Sequence, residues 1–353
     1  MLNAVTESPG LLGLPTARAV DHYAFTVPRL EEAVAFFTDV LGGQLCYREG
    51  PVEDAAGDWM RRKLGVHPRA RAHVALVRLD AFTNLELFEY DAPDQVTSPP
   101  GPNDVGGHHL ALTVADPEAA EQYLRRAGAV RLGPAEPSGR TRRWFLTPVG
   151  LLLSLSAPGR RDERLFVPAP EMRDGAARGA LGLLGVEHVS YTVSDLDAAT
   201  AFFTTVLGAE LVASHGGASE PDDGHWPPGA EQCRRVLLRL GPTANCRLTQ
   251  SGRGALRTRP PRNSDVGGHH LAFYVDDVDA AAAYLREQDG VTLMGEPETI
   301  VSGPIAGDRW LYFTTPAGIQ MEIINMPDGA LPYEARTPAR RATPGALRWQ
   351  DRP

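Results

Sequence analysis

One pattern of apolar and polar positions recurs four times along the chain. Each time a β-branched or aromatic run is followed by apolar residues at helical spacing and then by further short apolar runs. The first run is Val20–Val27, stopped by Pro28. Apolar positions then fall at Leu30, Ala33, Val34, Phe37 and Leu41, the i, i+3, i+4 spacing of an amphipathic helix, closed by Gly42-Gly43. Strands are predicted at 44–48, 72–79 and 84–90. The second unit predicts a strand at 109–114, a helix at 117–127 and strands near 130–132, 142–147 and 151–155. The third restarts at Val186–Val193, and its helix, 199–209 ATAFFTTVLGA, echoes 33–43 AVAFFTDVLGG. The fourth begins at His270, with a helix at 278–287 and strands at 308–314 and 319–325. The octapeptide DVGGHHLA starts at Asp104 and again at Asp265, 161 residues later, so the chain carries an internal duplication.

The pattern reads as α+β: four βαβββ modules in two similar pairs. The expected organisation is an arm at 1–17, a first domain at 18–157 (modules 18–97 and 104–157), a linker at 158–183, a second domain at 184–327 (modules 184–255 and 265–327) and a tail at 328–353. Pro-rich 98–102 joins the first two modules, and the Arg-, Gly- and Pro-rich stretch 157–182 marks the main boundary. The tail has weak periodicity and is expected to be disordered or to wrap a neighbour.

Composition narrows the function. A net charge of −9 gives no electrostatic case for nucleic acid or an anionic membrane. Three cysteines without a spacing pattern argue against a disulfide framework or a thiolate zinc cluster, and fit a reducing cytoplasm. No secretory signal opens the sequence and no apolar stretch is long enough to span a bilayer.

The fourfold βαβββ pattern, with its repeated strand-entry histidines, resembles the vicinal oxygen chelate superfamily. That superfamily holds glyoxalases, methylmalonyl-CoA epimerases, bleomycin- and fosfomycin-resistance proteins and type I extradiol dioxygenases. The resemblance covers about residues 18–157 and 184–327. It implies two cupped eight-stranded mixed sheets, each formed by a pair of modules around a divalent metal, with ligands from the first and last strand of each module. Carried over position by position, the first-strand ligand lies five residues before a strand-ending Val: His22 before Val27, His109 before Val114, His188 before Val193 and His270 before Val275. The last-strand positions are Glu86, Ser154, Arg247 and Glu322. Consecutive pairing of modules then gives a metal set of His188, His270 and Glu322, and a weaker second set of His22, Glu86 and His109. The likeness of the two halves favours this pairing. In some four-module members the first module pairs with the fourth instead, which would bring His22 to His270 and Glu322.

Two imidazoles and a carboxylate suit a non-haem Fe(II) oxygenase, and equally a Lewis-acid enzyme using Mn, Zn, Ni or Co. Residues 311–322, LYFTTPAGIQME, resemble the end of the extradiol dioxygenase signature, although the histidine expected shortly before Leu311 is absent. The first expectation is therefore an Fe(II)-dependent dioxygenase acting on a small aromatic or oxygen-chelating substrate with O2. Tyr312, His269 and Arg247 are its candidate catalytic residues, and His215 and His225 could supply an acid or base. The alternative is a glyoxalase- or epimerase-type lyase or isomerase, which residues 303–312 and Leu331–Glu334 resemble. A third reading is a non-catalytic small-molecule-binding resistance protein. Members of the family often dimerise, so a homodimer is expected.

Overall fold

The computed structural model describes residues 13–133, 142–159, 163–167, 180–216, 233–251, 257–341 and 347–351. The first module comprises β1 (Ala17–Thr26), α1 (Leu30–Ala35), β2 (Gln44–Glu53), α2 (Trp59–Leu64), β3 (Arg71–Arg78) and β4 (Asn84–Asp91). The second has β5 (His108–Val114), α3 (Pro117–Arg126), β6 (Val130–Leu132), β7 (Arg143–Leu146) and β8 (Leu152–Ser156). The third has β9 (Leu183–Thr192), α4 (Leu196–Ala201), β10 (Glu210–Gly216), β11 (Cys233–Leu240) and β12 (Ala244–Ser251). The fourth has β13 (His269–Val275), α5 (Val278–Arg286), β14 (Thr292–Leu293), β15 (Glu298–Thr299), β16 (Arg309–Thr314) and β17 (Gln320–Asn325). The predicted βαβββ order thus holds in every module, with α2 and β15 as additions.

The modules pair differently from the favoured expectation. One sheet runs β14-β16-β17-β13-β1-β4-β3-β2, with β15 on β16, and is built from the first and fourth modules. The other runs β10-β11-β12-β9-β5-β8-β7-β6, from the second and third. Consecutive pairing is therefore corrected to an outer pair and an inner pair. The joints are antiparallel, β1 on β13 and β5 on β9. The repeated octapeptide opens both β5 and β13, so the sequence at the joint is nearly the same whichever partner it meets. Resemblance between halves records the duplication and cannot select the partner.

The two glycines of each repeat lock these joints. Gly267 N donates to Thr26 O at 2.9 Å and Thr26 N to Gly268 O at 2.8 Å. In the inner pair Gly106 N donates to Thr192 O at 2.8 Å and Thr192 N to Gly107 O at 2.7 Å. The helices and the sheet faces turned away from the cups share one apolar core, in which Phe25, Phe37, Phe145, Phe203, Phe273 and Phe313 are fully buried. A file of stacked rings crosses from sheet to sheet: Phe25 on His108 (centroids 5.0 Å), His108 on His269 (4.9 Å) and His269 on Tyr191 (4.9 Å).

The tail folds back on its own chain. Trp349 is buried against Phe273, and its indole Nε1 donates to Gly208 O at 3.2 Å. Arg341 reaches inside the outer sheet.

Gly150 and Gly267 share φ of +82°, but an added Cβ meets nothing within 4 Å at Gly150 and lies 2.5 Å from Pro100 Cδ at Gly267. Gly150→Ala should cost only the left-handed backbone penalty, about 1–2 kcal/mol. Gly267→Ala should cost a further ~1–3 kcal/mol of overpacking. Equal losses for the two variants in chemical denaturation would refute this account of the joint.

Candidate metal centre

Four adjacent strands of the outer sheet each contribute one ligand-type side chain to the cup. In the order β17-β13-β1-β4 these are Glu322, His270, His22 and Glu86. Alternation along each strand and the cross-strand register place them on one face: Ala272 stands opposite both Glu322 and His22, and Ala24 opposite both His270 and Glu86. Small residues at the two crossing points leave the space above the sheet to the longer side chains. His22 Nε2 lies 3.2 Å from Glu86 Oε2, 3.2 Å from Glu322 Oε2 and 3.3 Å from His270 Nε2. His270 Nε2 lies 3.5 Å from each carboxylate oxygen. All four ligand atoms fall within 4.8 Å of one another, and all four residues are buried.

These separations fit a bound divalent ion. Bonds of about 2.1 Å place neighbouring ligand atoms about 3.0 Å apart at right angles and about 3.4 Å apart at tetrahedral angles. Glu322 Oε2 is buried without a hydrogen bond, a costly state that coordination would relieve. Burial by itself would raise the Glu86 pKa, but the His22 and His270 imidazoles override it and hold the carboxyl down to about 2. Burial opposes charge on His22, but Glu86, Asp21 and Glu322 raise its pKa well above the ordinary value, so a mid-series divalent ion taking these carboxylate and imidazole donors would displace a proton.

A second layer fixes the imidazoles. A register shift between Val20 and His22 marks a bulge in β1, which lets the adjacent side chains Asp21 and His22 meet. Asp21 Oδ2 accepts from His22 Nδ1 at 2.9 Å, and the buried Arg341 guanidinium pairs with the other Asp21 oxygen. Although burial opposes ionisation of Asp21, Arg341 and His22 hold its pKa below the ordinary value. Asn263 Oδ1 accepts from His270 Nδ1 at 3.2 Å. With both Nδ1 atoms engaged outward, both Nε2 atoms face the centre. The Tyr312 hydroxyl lies 3.3 Å from His270 Nε2, and Tyr47 donates to Glu86 Oε1 at 3.5 Å.

Beside the cluster is a cavity of about 300 Å³, whose walls include Glu86, Glu322, Tyr312, Trp310, Phe88 and Met326. Its size suits a small molecule. Most of the lining is apolar, and its carboxylates are Glu86, Glu322, Glu49, Glu298 and Asp308.

The structure redistributes the residues singled out in the sequence. His22, Glu86, His270, Glu322 and Tyr312 come together in one cup. His188 is separated from His270 and Glu322 because β9 belongs to the inner sheet, and His109 is separated from His22 and Glu86 for the same reason. Both expected ligand triplets are thus replaced by one four-residue set drawn half from each. Arg247, on β12, lies in the inner cup. His269 faces away from the cup, as the neighbour of a cup-facing residue in a strand must, and stacks between His108 and Tyr191. Burial lowers its pKa to about 3, so it is a neutral packing group and not an acid-base residue. His215 is in β10 of the inner sheet, and His225 lies outside the described residues. Sequence reasoning missed Asp21, Asn263 and Arg341.

Known proteins place this geometry. The model of the Glyoxalase/Bleomycin resistance protein/Dioxygenase superfamily matches residues 19–155 and 185–323. A 2-epi-5-epi-valiolone epimerase of Actinomyces sp. is 49% identical over 180 residues, spanning 96% of that enzyme and 49% of this chain. Glyoxalase I from Zea mays is similar in fold, with a TM-score of 0.54 at 16% identity over 88% of this chain and 92% of that one. So is a putative dioxygenase from Bacillus subtilis, with a TM-score of 0.53 at 16% identity over 89% and 87%. The expectation of a dioxygenase is overturned by the epimerase, the far more similar sequence. The ligand set agrees with that correction, since the non-haem oxygenase triad uses two histidines and one carboxylate, whereas this cup gathers a second carboxylate. No helix among the described residues is long and apolar enough to cross a membrane. With the family model matched across both halves, the chain belongs to the Glyoxalase/Bleomycin resistance protein/Dioxygenase superfamily.

Proposed function

We propose that this protein is a metal-dependent epimerase acting on a small hydroxylated ketone, with His22, Glu86, His270 and Glu322 as ligands. The observation that carries the reading is the pair of carboxylates on either flank of the two histidines, together with the similarity to the 2-epi-5-epi-valiolone epimerase. Epimerisation beside a ketone requires a proton to leave the carbon next to the carbonyl and to return on the other face. A divalent metal held by the four residues would polarise the carbonyl oxygen and stabilise the negative charge that develops there.

The chain's own groups supply the rest. Glu86 on β4 and Glu322 on β17 flank the β1–β13 joint and both line the cavity, so each is within reach of a ligand seated there. One carboxylate accepts the proton from one face; the proton returned to the opposite face comes from a group that starts the turnover protonated, and exchange of both groups with water restores the starting state. The substrate gains and loses one proton and no redox change occurs. Tyr312 is placed to donate its hydroxyl hydrogen to a substrate oxygen beside His270. Trp310, Phe88 and the other apolar walls keep bulk water from the carbanion-like intermediate.

Metal analysis of purified protein should find one divalent ion per chain. That ion should be lost in Glu86→Ala and Glu322→Ala and kept in His188→Ala. With 2-epi-5-epi-valiolone in deuterated water, the epimerised product should carry solvent deuterium at the inverted carbon. Glu322→Gln should slow turnover by about 10²–10⁴-fold. Unlabelled product, or full activity after metal stripping, would sink the proposal.

Arg341 touches neither the cavity nor the four ligands, yet it neutralises Asp21 behind His22. Arg341→Ala should weaken metal affinity by about 10–100-fold while leaving kcat at saturating metal largely intact. The ratio is read by competition with a chelator. An unchanged affinity would show that the tail contact has no bearing on the centre.

A further inference from the structure

The inner cup is built on the same register as the outer one and carries the opposite chemistry. Ala111 stands opposite both His188 and Ser154, and Ser190 opposite both His109 and Arg247. His188 and His109 therefore occupy the places of His22 and His270, while Arg247 and Ser154 occupy those of Glu86 and Glu322. Around them the substitutions continue in one direction. Arg235 takes the place of Val74, since each lies two residues before the leucine paired with its cup's β12 or β4 ligand position. Arg142 takes that of Trp310, since each lies two residues before the aromatic paired with Ser154 or Glu322. Arg142, Arg235 and Arg247 are 7%, 7% and 4% exposed, so three guanidinium groups are buried where the outer cup has two apolar walls and a carboxylate.

We propose that the inner cup binds a small oxyanion, a carboxylate or phosphate group, between Arg142, Arg247 and Ser154, with His109 and His188 at its floor. Several polar atoms there are buried and unpartnered: Arg142 Nε and Nη1, Ser154 Oγ, His109 Nε2 and His188 Nε2, while His188 Nδ1 lies 3.4 Å from Glu187 Oε1. Such atoms are expensive to bury unless something accepts from them, and a multivalent acceptor satisfies them together. Glu187 engages only part of Arg142, through Nη2, and also accepts from Ser156 Oγ at 2.9 Å. Burial first, and then the positive neighbours, hold both imidazoles neutral, the His188 pKa falling to about 3. A neutral imidazole presents one N–H to an anion. Arg247 and Ser154 stand where the outer cup has two carboxylates, and a guanidinium offers no donor atom to a divalent cation.

The test is calorimetric titration of chelator-treated full-length protein with inorganic phosphate and, separately, with malonate. One equivalent of at least one anion should bind with a dissociation constant below about 1 mM. Ser154→Ala, a minimal change, should weaken it several-fold, and Arg142→Gln/Arg247→Gln by at least about tenfold. A His22→Ala/Glu322→Ala variant should bind the anion as wild type does, which separates this site from the metal centre. If neither anion saturates below about 10 mM, or if the inner-cup substitutions leave affinity unchanged, the proposal is wrong. Binding lost only in the outer-cup variant overturns it equally. Phosphate binding without malonate binding would assign the site to tetrahedral anions, and the reverse to carboxylates. Should the double arginine variant not fold, Ser154→Ala and Arg142→Lys decide the matter.

Discussion

The antiparallel joint between β1 and β13 is the contact on which the metal centre depends. His22 and Glu86 come from one side of it and His270 and Glu322 from the other. Neither module holds more than half of the ligands, and neither half would bind a divalent ion well. The joint is made of strand hydrogen bonds, the paired glycine and threonine bonds at its end, and the ring file through His108 and His269. The octapeptide thus serves two ends at once. Its first histidine packs the sheets together and its second points into a cup, because successive residues of a strand face opposite ways.

The two cups show how far one fold can be taken in opposite directions. Backbone register at the two joints is retained position for position, so at the four ligand positions the difference lies in the side chains. In the outer cup two carboxylates face two imidazoles, and an inward-reaching arginine is kept one layer back, behind Asp21. In the inner cup arginine stands in the ligand position itself. The charge of the innermost layer, and not the shape of the sheet, separates a cation site from a cationic one.

Much of this was legible in the sequence. The four strand-entry histidines and the last-strand Glu86 and Glu322 are reached through the family resemblance, carried over position by position, and the fourfold pattern fixes the module. Pairing was not legible, because β5 and β13 open with the same residues and local sequence cannot favour either neighbour. That one ambiguity moved His188 and His109 out of the centre. Asp21 was hidden because a bulge breaks the alternation that would otherwise turn it away from His22. Arg341 was hidden by its distance, 320 residues from its partner in a tail whose composition suggests disorder. His269 was misread as catalytic through its nearness to His270 in sequence, where alternation places it across the sheet.

The nesting of an inner pair within an outer pair sets an order of assembly. The second and third modules are neighbours in the chain and close across a short separation. β1, by contrast, keeps an open edge until β13 exists, and His22 meets His270 only across 248 residues. During synthesis the first module therefore waits, with an unpaired strand exposed, while the inner sheet forms between it and its partner. The last contact to form at the centre is Arg341 on Asp21, from the far end of the chain. The cluster of His22, Glu86, His270 and Glu322 is therefore complete only once the fourth module has been made.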